Sequence, residues 1–185
     1  MGNNSLRELL SVVGVSGYEN SISSMIYEKL IEISDEVYTD RIGNVICFRR
    51  GIASKNKVML IAHMDEVGFQ IMKLNEDGTA RIKALGNIKT WNSINQIIKT
   101  GDGRMGIIIC TDPSNIIPYD FSKLVVVPIV GELKIGDVLS FSSNYIEGEE
   151  KIVGKSIDNR VSCFSMLELI VAGEKYRDDV YFVFS

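Results

Sequence analysis

His63 is the only histidine in the chain and closes an apolar run over residues 57–62. On a strand, residues i and i+2 point to the same side, so His63 and Asp65 can touch while Met64 faces away. A carboxylate that accepts one imidazole N–H fixes the tautomer and leaves the other nitrogen open to a metal ion. A second group of interest is Asp158, within the segment Gly154-Lys-Ser-Ile-Asp-Asn-Arg160. There a strand-rich region hands over to a helical pattern, and a carboxylate at or just before a helix N-terminus is electrostatically favoured. Asp158 would face the tip of the 57–63 strand if both belong to one sheet-and-helix unit. Plainer readings stand beside these. A histidine after a strand can serve structure through hydrogen bonds, Asp158 can be an N-cap, and Asp65 and Glu66 can be strand-end charges. One imidazole and one carboxylate do not complete a metal site, and spacing alone leaves both readings open.

The elements that must position these groups follow from periodicity. Ser5-Leu-Arg-Glu8 reads as a capping box for a first helix with Leu6, Leu9, Leu10 and Val13 on one face, ended by Gly14. Ser16-Gly-Tyr-Glu19 reads as a second box, before a stripe of Ile22, Met25, Ile26 and Leu30. Strands are expected at 36–40, 44–49 and 57–63. A turn at Arg41-Ile-Gly43 pairs the first two, and the third is a buried central strand of an α/β layer. After Gly68 the texture changes to short strands punctuated by Gly, Asn and Asp: 67–74, 79–85, 94–99, 104–110, 124–130 and 137–142. That pattern suits a small β-barrel or sandwich. Trp91, Tyr119 and Tyr145 read as barrel core or loop packing rather than a binding platform. A helix resumes at Ile157 with Val161, Phe164, Leu167 and Val171 on one stripe. Met166 and Ile170 widen it, which implies burial, before a last apolar strand at 179–185. An apolar strand so close to a chain end is unusual, because termini normally lie at the surface.

Composition bounds the function. The 185 residues, 45% hydrophobic and 24% charged, are those of a globular chain large enough for one domain or two small ones. A formal charge of −4 argues against nucleic acid or an anionic membrane as partner. The longest apolar stretch, Leu124–Val130, is interrupted by Pro128 and too short to span a bilayer. No basic flank with an apolar core marks a signal peptide. Met1-Gly2 opens like a myristoylation signal, but Leu6 stands where Ser or Thr is needed. Cys47, Cys110 and Cys163 are odd in number and widely spaced, as expected of reduced thiols in a cytoplasmic protein without a thiolate metal cage.

Four segments in this order carry a resemblance: Gly14-Val-Ser-Gly-Tyr-Glu19, Asp40-Arg-Ile-Gly-Asn44, Ala62-His-Met-Asp-Glu-Val-Gly-Phe69 and Gly154-Lys-Ser-Ile-Asp-Asn-Arg160. The chain resembles the tetrahedral (TET-type) aminopeptidases, metallopeptidases with two cooperating ions, some of whose members carry the label endoglucanase. The resemblance implies an α/β/α catalytic domain, incomplete here and formed by residues 1–67 and 154–185, interrupted by a β-barrel insert at 68–153. It implies that His63 binds one metal ion, that Asp158 bridges two, that Asp65 orients His63, and that the Asp158–Asn159 peptide is cis. The ions would be zinc, cobalt or manganese. Peptides would be the substrates, and the chain would form a homo-oligomer through the insert.

In that family the strand matching 180–184 leads into a Glu-Glu pair, base and ligand, followed by an acidic ligand and a histidine. None of these lies within this sequence. The resemblance therefore implies weak or absent metal binding and no turnover by this chain alone, unless a polypeptide carrying the C-terminal half supplies the rest. The alternatives are a non-catalytic binding or assembly relative and, ranked last for want of suitably paired carboxylates, a glycosidase.

Overall fold

Two cores divide the chain, and the barrel interrupts the unit that carries the candidate site. The computed structural model describes residues 3–112, 114, 118, 120–142 and 145–185. Tyr119 and the Met1-Gly2 pair lie outside them. The first unit is built from α1 (Asn3–Ser11), α2 (Asn20–Leu30), β1 (Glu36–Thr39), β2 (Val45–Arg49), β3 (Lys57–Ala62), α3 (Ile157–Val171) and β12 (Asp179–Phe184). Its four-stranded sheet runs β1-β2-β12-β3. The β1–β2 pairing is antiparallel, as the hairpin turn predicts; β2 and β12 also pair antiparallel, and β12 lies parallel to β3. Alternation decides the faces. Val180, Phe182 and Phe184 join Val45 and Cys47 under the helices, against Ile22, Ile26 and Leu30 of α2 and Cys163, Leu167 and Ile170 of α3.

Several expectations are corrected. β3 is an edge strand rather than a buried central one: Val58, Met59, Leu60 and Ile61 are 38–64% exposed, and its one described neighbour is β12. An apolar composition records what a strand is suited to bury, not how many neighbours it has in this chain. The opposite face of the sheet is likewise open, with a shallow depression of about 400 Å³ lined by Tyr38, Ile46, Met59, Tyr181 and Val183. α1 begins at Asn3, so Ser5 lies inside it rather than at its cap. α2 begins after Glu19, which makes no side-chain cap bond, while Ser16 is engaged elsewhere. The buried face of α3 is Arg160, Cys163, Met166, Leu167 and Ile170, whereas Val161 and Val171 are about 40% exposed.

The second unit is a closed barrel of β4 (Gly68–Leu74), β5 (Ala80–Leu85), β6 (Ile97–Lys99), β7 (Met105–Cys110), β8 (Leu124–Val130) and β9 (Val138–Phe141), in the order β4-β5-β8-β7-β6-β9. Pro128 is accommodated where the β7–β8 register shifts, the kind of irregularity a proline needs inside a sheet. Phe69, Ile71, Ile82, Ile98, Ile108, Val126 and Leu139 fill the interior, with Phe121 and Phe141 edge-on to Phe69. Trp91 is not part of that core; it sits on a 3-10 turn, 54% exposed. Tyr145 lies beneath the Arg7 guanidinium, beside the two-stranded ribbon β10 (Ile146–Glu147) and β11 (Ile152–Val153). The cysteines are free, as expected, and no helix among the described residues is long and apolar enough to cross a membrane.

Candidate metal centre

The β3 strand ends at Ala62, and His63 emerges from its tip. Met64 N–H donates to the Ser185 carbonyl (2.6 Å) and Ser185 N–H to the Ala62 carbonyl (3.0 Å), so the β12 backbone steadies the exit. Met64 turns inward and is buried, leaving His63 and Asp65 on the open side. The imidazole Nδ1 is 2.8 Å from Asp65 Oδ1. Asp65 Oδ2 accepts the Ser16 hydroxyl, which fixes the carboxylate in turn.

Asp158 arrives from the other end of the sequence. Ser156 takes the left-handed conformation (φ 58°) at the head of α3. Asp158 and Asn159 depart from helical geometry, and their peptide bond is cis, as the resemblance implies. The Asp158 side chain is 96% exposed, and Oδ1 stands 3.3 Å from His63 Nε2. The three residues singled out in the sequence are thus brought together, and the carboxylate of Asp158 turns to the imidazole rather than capping the helix.

The chemistry of the donor set favours a cation. With Nδ1–H given to Asp65, the lone pair of a neutral imidazole at Nε2 faces a carboxylate oxygen, an arrangement that a proton or a metal ion between them relieves. Two ligand atoms about 2.0–2.1 Å from a tetrahedral ion stand roughly 3.3 Å apart, which is the separation found. The number of donors falls short. Among the described residues no group of three His, Cys, Asp or Glu could hold an ion, whereas catalytic zinc usually takes three protein ligands.

A cleft of about 380 Å³ opens beside the pair, between the sheet tip and the barrel, with Val67 and Phe141 on its apolar side and Glu66, Lys155 and Ser156 on its polar side. Sequence reasoning missed how these last residues work. Glu66 is buried rather than a strand-end charge, and Lys155 Nζ reaches both of its oxygens at 2.6 Å. Burial pushes the Lys155 amine down to about 8 against the opposing pull of Glu66. Arg160, wholly buried, donates Nε–H to the Met64 carbonyl (2.8 Å) and has its pKa lowered by burial. Beneath the histidine, the Cys163 thiol points at the His63 carbonyl (3.4 Å) and is raised by burial to about 12, an inert packing group. The available signal for the buried charges was their place inside the segments quoted above.

Comparison with known proteins agrees with this architecture. The family model described as M42 glutamyl aminopeptidase matches residues 43–118 and 130–185. A lysyl aminopeptidase from Pyrococcus furiosus is 27% identical over 97% of this chain and 57% of its own length. The crystal structure of an endoglucanase from Thermotoga maritima superposes with a TM-score of 0.87 at 32% identity, over 97% of this chain and 58% of that one. The TET1 peptidase of Pyrococcus horikoshii, which assembles into a tetrahedron or a large octahedral shell, shares the fold (TM-score 0.84, 22% identity, 98% and 60% covered). The chain spans about half the length of the curated relatives it matches. With its sheet, its barrel and the tip that joins them, the chain belongs to the M42 glutamyl aminopeptidase family.

Proposed function

We propose that the chain is the N-terminal part of a two-metal aminopeptidase acting on peptides. Residues 1–67 and 154–185 would contribute to the catalytic unit, and residues 68–153 would be an insert serving homo-oligomeric assembly. In this reading His63 ligates one divalent ion, Asp158 bridges two, and Asp65 orients the imidazole. The observation that carries it is the 3.3 Å approach of His63 Nε2 to Asp158 Oδ1, with Nδ1 already committed to Asp65. Bound divalent ions would polarise a scissile carbonyl and lower the pKa of an attacking water. The chain's own residues present one imidazole at a fixed angle, one solvent-facing carboxylate and a cleft. Among the described residues there is neither a third ligand nor a general base, so in this reading the half-site binds metal weakly and turns nothing over alone.

The open sheet supports a second part of the reading. A polypeptide carrying the remaining length of the family's catalytic unit would cover the face of Met59, Ile61 and Tyr181 and bring the missing acidic groups to the tip. The test mixes this chain with that complementary polypeptide in zinc or cobalt and follows hydrolysis of aminoacyl-anilides. Neither part alone should act. The mixture should, and H63A or D158N should lower its rate by at least about a hundredfold. Turnover undiminished in H63A ends the metal assignment.

A further inference from the structure

Asp158 reaches His63 without any packing of its own side chain, which is 96% exposed. Its position must come from the backbone on either side, and that backbone is tied to the histidine segment at two places. Before Asp158, Lys155 Nζ donates to Glu66 Oε1 and Oε2 (2.6 Å each), and Ser156 Oγ donates to Glu66 Oε2 (2.5 Å). After it, Arg160 donates Nε–H to the Met64 carbonyl (2.8 Å). Its Nη1 serves the Leu9 and Val12 carbonyls (2.7 Å each). Arg160 Nη2 lies 3.5 Å from both the Gly14 carbonyl and Glu66 Oε1. Met64 and Glu66 immediately follow His63 and Asp65, so the ties flank both members of the pair.

Glu66 is also the fixed point for the segment that supplies Ser16. Gly14 N–H donates to Oε1 (3.1 Å), and the backbones of Gly14, Ser16 and Glu66 pair as a short parallel bridge. A Cβ on Gly14 would lie 2.9 Å from the Arg160 guanidinium, so only glycine leaves that channel open. Stability alone does not account for the arrangement. Three ionic side chains no more than 7% exposed are an expensive filling, and apolar replacements of buried ion pairs are often neutral or better.

We propose that Glu66, Lys155 and Arg160 form a brace whose role is positional: it holds the Asp158 segment against the tip of β3 at the spacing His63 requires. Its metal consequence rests on the reading above, while the positioning itself can be measured without metal. Because His63 is the sole imidazole, its ring nitrogens give one pair of signals in a ¹⁵N-labelled chain. At fixed pH, D158N should move the Nε2 signal in the wild type, and that response should shrink at least about threefold in E66Q and in K155M. Amide spectra establish that each variant is folded, and S156A, which deletes one hydroxyl bond, serves where a charge-removing variant does not fold. Zinc titration of the same signal should weaken about tenfold in K155M.

A D158N response of full size in folded E66Q and K155M overturns the brace alone. A wild-type signal indifferent to D158N overturns the brace and the site together. A cycle that behaves as expected while zinc leaves the wild-type signal unmoved supports the brace and removes the weak metal binding proposed for this half-site alone.

Discussion

The barrel and the sheet unit solve burial in opposite ways. The barrel closes on itself, leaves no strand edge, and among the described residues buries no charged side chain. The sheet unit keeps an open edge and a bare face, and buries Glu66, Lys155 and Arg160 beneath its tip. A closed apolar layer is what a scaffold needs. Ionic groups held dry beside an exposed imidazole and carboxylate are what a site needs, because geometry there must be set by directed bonds rather than by packing.

Three measurements press on this contrast. The largest effect is expected from F69A, which empties a fully buried position touched edge-on by Phe121 and Phe141. It should cost about 3–5 kcal/mol in urea unfolding, and a loss under 1 kcal/mol would mean the barrel core is not the tight layer it looks. A smaller effect concerns pH. The folded Lys155 releases its proton near 8, while the unfolded side chain holds it to about 10.5. Between those values the unfolded state binds more protons, so the contribution of this group to stability rises with pH. Wild-type stability measured relative to K155M should therefore climb between pH 7.5 and 9.5, and a flat or falling difference would place the ammonium in a wetter setting. The smallest effect is expected at the open edge. M59S and I61S, at positions more than 60% exposed, should change stability by no more than about 0.5 kcal/mol while reducing self-association in sedimentation. A loss of several kcal/mol would show that something already covers that strand.

Much of this was readable from residue order. Alternation and turn chemistry placed the hairpin of β1 and β2 and the six barrel strands, because those signals are local. His63 beside Asp65 followed from the two-residue repeat of a strand. Asp158 joined them through a resemblance, since nothing local links positions 95 apart. What escaped depended on distant partners. Ser16 looked like a helix cap because its spacing to Glu19 fits one, but α2 begins only after Glu19, and the Ser16 hydroxyl donates to the Asp65 carboxylate instead. β3 looked central because its side chains are apolar, and only the strand order shows it at an edge. Arg160 interrupted the apparent stripe of α3 and was passed over, although five hydrogen-bonding hydrogens can occupy a buried place when carbonyls at the end of α1 await them.

The bare face formed by Met59 and Ile61, beside the half-buried Tyr181, has a practical corollary. Dyes that brighten on apolar surfaces will light up on the fully folded chain, so a dye-monitored melt will begin from a high baseline and resemble that of a molten species. Circular dichroism in the aromatic region, which tracks side-chain order instead, separates the two states.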